Sequence, residues 1–108
     1  MKKMQRHICG LCLLMTLLIP ACVSLEQAAP PVAMLGLPLN GSKVIAIARG
    51  REIYITRCAK CHSVEPVKSY TPAEWKKIMP VMVEKTKLSP GDDVDVRAYV
   101  TAVLGHRD

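Results

Sequence analysis

Five consecutive residues, Cys58-Ala59-Lys60-Cys61-His62, constrain this chain more than anything else in it. Two cysteines three apart, with a histidine directly after the second, form the pattern for covalent attachment of haem. Each thiol can add to a haem vinyl group, and the short spacing keeps both sulfurs on one edge of the macrocycle. The imidazole of His62 is then carried beneath the iron as its proximal ligand. Two other uses of a CxxC pair fit less well. A thioredoxin-like redox pair needs a βαβ context, which this sequence does not offer. A zinc site needs a second pair of Cys or His ligands at suitable spacing, and only His106 remains downstream.

The N-terminus bears on where such chemistry takes place. Lys2, Lys3 and Arg6 make a positive start, and Ile8 to Ile19 is apolar over about a dozen residues, the length of a signal-peptide core. A membrane-spanning helix needs about 20 apolar residues. Cys9 and Cys12 lie inside this stretch and read as small apolar residues removed with the signal. The run Leu18-Ile19-Pro20-Ala21-Cys22 resembles a bacterial lipobox, with Pro20 an unusual occupant of its position. Residues 1–21 are therefore expected to be a signal peptide, cleaved before a lipidated Cys22 or slightly later, after Ser24 or within Ala28–Ala29. A lipid on Cys22 would tether the protein to a membrane without a spanning segment.

The full chain carries a net charge of +6. Three of its fifteen basic residues precede Cys22, so the part that follows carries only +3. That small excess offers no clustered basic stripe for nucleic acid. It permits weak steering toward an acidic partner.

Residues 22–43 read as a flexible linker, because Ala-Ala-Pro-Pro, Leu-Pro-Leu and Asn-Gly-Ser break any regular period. The remaining 44–108 form one domain. A first helix is expected from about Ile45 to Thr56, ending at the cysteine motif, although its β-branched residues would also suit a strand. Thr71-Pro72-Ala73-Glu74 supplies an N-cap, a proline at the first helical position and the acidic partner of a capping box. Trp75, Ile78, Met79 and Met82 then recur at helical spacing, with Pro80 expected to kink or interrupt the run. Ser89-Pro90-Gly91-Asp92 repeats the capping logic, and Val96, Tyr99, Val100 and Val103 form the buried stripe of a last helix that stops near Gly105. The expected architecture is all-α. A domain this small buries little apolar surface by itself, and a haem enclosed by its helices would complete the core.

A haem held by His62 alone leaves one iron position open. Met79, Met82 and His106 lie downstream as candidates. A thioether favours ferrous iron and raises the reduction potential. Methionines on an apolar helix face also serve as gap-filling core residues. His106 sits at the C-terminal end, where chains fray.

From Arg49 to Leu104 the chain resembles a small class I cytochrome c of the bacterial monohaem kind. The resemblance rests on Gly50 and Tyr54 ahead of the motif, on Cys58-Ala59-Lys60-Cys61-His62 itself, on Trp75 seven residues before Met82, and on Tyr99 in the last helix. It covers roughly the last half of the chain, and the haem motif is its one highly specific element. It implies a small cytochrome c fold with three main helices around one covalent haem c. It implies export as well, since bacteria attach such haem outside the cytoplasmic membrane, so the protein would be periplasmic, soluble or lipid-anchored. Met82 becomes the sixth ligand, with Met79 in reserve. Gly50 lets the first helix approach the last, beside Tyr54 and Tyr99. Trp75 either gives its indole N–H to a haem propionate or packs in the core. A loop carbonyl such as that of Pro66 accepts the His62 Nδ1–H. Lys76, Lys77, Lys85 and Lys87 either surround the haem edge or form a solvated face. The implied function is single-electron transfer between redox partner proteins, as a carrier or as a subunit of a larger redox enzyme. The alternative is a haem with a labile or open sixth position that binds small gases.

Overall fold

The computed structural model describes residues 23–38 and 41–106, and every regular element within them is helical. The signal segment 1–21 and the lipidation candidate Cys22 lie outside the described residues. Helix α1 is a single turn, Leu25–Ala28, followed by a 3₁₀ turn at Val32–Leu35. Helix α2 spans Ser42–Thr56, α3 Pro72–Thr86 and α4 Pro90–Gly105. Two further 3₁₀ turns, Cys58–Lys60 and Val67–Ser69, lie between α2 and α3.

Local chemistry accounts for the helix ends. The Thr71 side chain accepts from the Glu74 backbone N–H, and the Glu74 carboxylate accepts from the Thr71 N–H, so Pro72 enters α3 through a complete capping box. Hydrogen bonds from Thr71, backbone first, hold the Glu74 carboxyl below its ordinary pKa. Ser89 caps α4 by accepting from the Asp92 N–H. At the far end of α3, Lys87 adopts a left-handed conformation with φ of 51°, and the Leu88 N–H donates to the Val83 carbonyl. Helix α2 begins at Ser42, three residues before the apolar pattern suggests. Gly41, at φ 96°, makes the turn that admits the extra residues.

Pro80 does not interrupt α3, which runs on to Thr86. Both Pro80 and Lys76, whose carbonyl loses its i+4 partner, are exposed, so water can take the place of the missing hydrogen bond.

The core forms where α2 crosses α4. Gly50 is the contact point: a Cβ placed there would lie 2.0 Å from the Asp95 carbonyl oxygen. One turn on, Tyr54 meets Tyr99 with ring centroids 5.9 Å apart, and Trp75 stands edge-on to Tyr54 at 6.1 Å. The expected α4 stripe of Val96, Tyr99, Val100 and Val103 is buried throughout.

The stretch expected to be a flexible linker is instead docked over much of its length. Ser24 and Gln27 form a capping box around α1, and Ala28, Ala29 and Leu35 are buried against the helices. Pro30 and Pro31 stop α1 and leave carbonyls without helical partners. Arg51 Nε donates to the Ala29 carbonyl at 3.0 Å, and the Tyr99 hydroxyl donates to the Pro30 carbonyl at 3.0 Å. Burial pushes the Tyr99 phenol up to about 12, although the neighbouring Arg51 opposes the rise. Among the described residues no helix is long and apolar enough to cross a membrane.

Candidate functional site

The cysteine motif lies immediately after α2. The Arg57 N–H closes that helix on the Ile53 carbonyl, and the chain tightens at once into the 3₁₀ turn Cys58–Lys60. Cys58 faces inward and is 4% exposed, while Cys61 and His62 face solvent. Burial pushes the Cys58 thiol up, partly offset by the positive charge of Arg57, so it stays protonated at neutral pH.

Beside this turn is a cavity of about 290 Å³. Cys58, Ala59 and His62 line it from the motif, Val64 and Tyr70 from the following loop, and Trp75, Ile78 and Met82 from α3. Tyr54 and Glu65 complete the wall. The volume is just below the range of about 300–1,000 Å³ usual for cofactor pockets.

Backbone carbonyls fix the polar groups around the cavity. His62 Nδ1 stands 2.6 Å from the Ser63 carbonyl oxygen. A carbonyl only accepts, so Nδ1 donates in this contact and Nε2 is the ring nitrogen left to meet a ligand. The acceptor is thus the neighbouring Ser63 carbonyl rather than that of Pro66. The Tyr54 hydroxyl donates to the Glu65 carbonyl and ties the loop back to α2. Burial, reinforced by the Cys58 thiol, raises the pKa of that hydroxyl well above the ordinary tyrosine value. Trp75 Nε1 donates to the Val67 carbonyl at 2.9 Å in a fully buried bond. Its indole N–H is therefore committed to the loop, and its ring forms the cavity wall. The propionate contact expected of Trp75 would require breaking that bond.

The two methionines of α3 separate. Met82 is half-buried and lines the cavity with His62. Met79 is 3% exposed and lies in a different groove, between α3 and α4, together with Val100 and Leu104. The three-residue spacing turns Met82 about 60° around the helix from Met79, enough to place it on the other side of Trp75. His106 follows α4, away from the cavity lining, and Lys76, Lys77, Lys85 and Lys87 are all exposed.

The donor set fits a haem. One imidazole with a free Nε2, one thioether and two thiols of which one is buried at the cavity wall are the groups that hold a c-type haem. The apolar lining suits a macrocycle. Among the described residues, no three His, Cys, Asp or Glu side chains gather into a group able to hold a bare metal ion. Sequence reasoning missed Tyr70 and the docked segment 24–37. Neither has a periodic signal, since Tyr70 is a lone aromatic just before a helix cap and 24–37 is broken by prolines. Compared with known protein families, with curated proteins and with solved structures, the chain finds no match.

Proposed function

We propose that the chain is an exported monohaem cytochrome c that carries single electrons between redox partner proteins. The observation that supports it most is one cavity lined by Cys58, His62 and Met82, which come from two separate elements of the fold. In this reading Cys58 and Cys61 would hold the haem through thioether bonds, and His62 Nε2 and Met82 Sδ would bind its iron. The bound haem supplies the redox chemistry, its iron passing between ferrous and ferric states.

The chain's own residues hold the ligands still. The Ser63 carbonyl orients the imidazole and fixes its tautomer. The Tyr54 and Trp75 hydrogen bonds pin the loop between the motif and α3 at Glu65 and Val67, tying it to α2 on one side and α3 on the other. Ile78 and Val64 give the cavity wall apolar side chains. Electron transfer needs no acid–base residue, and the exposed motif edge is where a partner would approach. The signal-like N-terminus supports export, and a lipid on Cys22 would hold the domain at a membrane surface.

The test is to express the full chain with the machinery for covalent haem attachment and record oxidised, reduced and carbon-monoxide-treated spectra. A low-spin spectrum with a methionine–ferric charge-transfer band and no carbon monoxide shift supports the His/Met carrier. A high-spin spectrum with prompt carbon monoxide binding overturns it in favour of a gas-binding haem.

A further inference from the structure

A haem brings two propionate carboxylates, and a site that encloses one needs hydrogen-bond donors to meet their charge. The donors lining this cavity can be accounted for one at a time. The Tyr54 hydroxyl is held by the Glu65 carbonyl, and the Trp75 indole N–H by the Val67 carbonyl. The His62 Nδ1–H is held by the Ser63 carbonyl. Glu65 adds a carboxylate, which when ionised only accepts and repels a second anion.

Tyr70 differs from all of these. Its ring lines the cavity, half-buried, and stands edge-on to Trp75 at 5.5 Å with an interplanar angle of 81°. The next residue, Thr71, is pinned in the capping box of α3, so the backbone that carries Tyr70 is fixed as well. Its hydroxyl has no hydrogen-bond partner among the described residues, and it is the one phenol or indole of the cavity still free to donate.

We propose that Tyr70 is a haem-binding residue, its hydroxyl donating to one propionate carboxylate, in the role expected of Trp75. This rests on the haem-binding function proposed above. The bond draws negative charge away from the iron's surroundings and so favours the ferrous state, which makes Tyr70 a determinant of the reduction potential.

The test compares haem-loaded wild type with Tyr70→Phe, which keeps the ring contact with Trp75, and with Trp75→Phe. In Tyr70→Phe the propionate bending mode in resonance Raman spectra shifts and the reduction potential falls, while covalent haem staining is unchanged. In Trp75→Phe the propionate mode stays in place. If Tyr70→Phe leaves the mode and the potential as in wild type, or if only Trp75→Phe moves them, Tyr70 has no such role. If wild type itself takes up no covalent haem, the haem reading falls and this assignment with it. A nuclear Overhauser contact between the Tyr70 hydroxyl proton and the propionate methylenes of the reduced wild type reports the same bond without a substitution. Its absence there overturns the proposal even if Tyr70→Phe fails to fold.

Discussion

Gly50→Ala adds a single methyl group at the point where α2 touches α4. The new carbon would lie 2.0 Å from the Asp95 carbonyl oxygen, 2.6 Å from the Asp95 carbonyl carbon and 2.8 Å from Tyr99 Cβ. Ordinary contact begins near 3.4 Å, so the helices must part by more than 1 Å at this position. Two of the three obstructing atoms belong to the α4 backbone, and no rotamer change can move them. Overpacking in a core costs about 1–3 kcal/mol, and a backbone clash belongs at the upper end. Alanine's better helix propensity returns about 1 kcal/mol, leaving a net loss of about 2 kcal/mol. For a domain of this size each kcal/mol moves the melting temperature by about 4–8 °C, so a fall of about 8–16 °C is expected. The assay is thermal unfolding followed by far-ultraviolet circular dichroism, with Gly91→Ala as the control. A Cβ at Gly91 meets nothing closer than the Ser89 hydroxyl at 4.0 Å, and that variant should melt at or slightly above wild type. A Gly50→Ala protein melting within about 2 °C of wild type would refute the close crossing.

The remaining expectations concern the site and the docked N-terminal segment. With the proposed haem bound, Met82→Ala should open the sixth iron position, lower the reduction potential and admit carbon monoxide. Met79→Ala should leave the spectrum alone and destabilise the fold by about 2–5 kcal/mol in urea titration, since Met79 is buried core. A reversal of those two results would exchange the ligand assignment. Trp75→Phe strips the buried Val67 carbonyl of its donor and should cost about 1–3 kcal/mol of stability, read as a lower urea midpoint. Limited proteolysis should spare residues 24–37 in wild type and cut there in Leu35→Ala, which removes the segment's buried anchor. Rapid cleavage of wild type within 24–37 would show that the segment is not docked.

Much of the helical framework could be read without coordinates because its signals are local. The Thr71–Glu74 box, Ser89 ahead of Pro90 and the Val96–Val103 stripe each act within a turn or two, and each element stands where those signals put it. The Cys58–His62 motif is local too, because two thiols and an imidazole that are to reach one edge of one cofactor must lie close along the chain. Pro80 does not interrupt α3 for a related reason: the chain shows the missing N–H but not that Lys76, whose carbonyl it frees, is exposed. Residues 22–43 looked like a linker because they lack a period, and periodicity reports only on surfaces that repeat. Ala29, Pro30 and Leu35 are held by side chains more than twenty residues away or by core contacts.

By itself, then, the sequence determined the helical class, the limits of the three long helices to within a few residues and the close spacing of Cys58, Cys61 and His62, since each depends on neighbours along the chain. Only the tertiary structure decided which methionine shares a cavity with His62, that Trp75 has already given its N–H to Val67, and that the Tyr70 hydroxyl has no partner among the described residues. Met79 and Met82 differ by less than one helical turn, and their roles part only because α4 packs against one side of α3 while the other side borders the cavity. Such distinctions arise from contacts between distant segments, and no local pattern carries them.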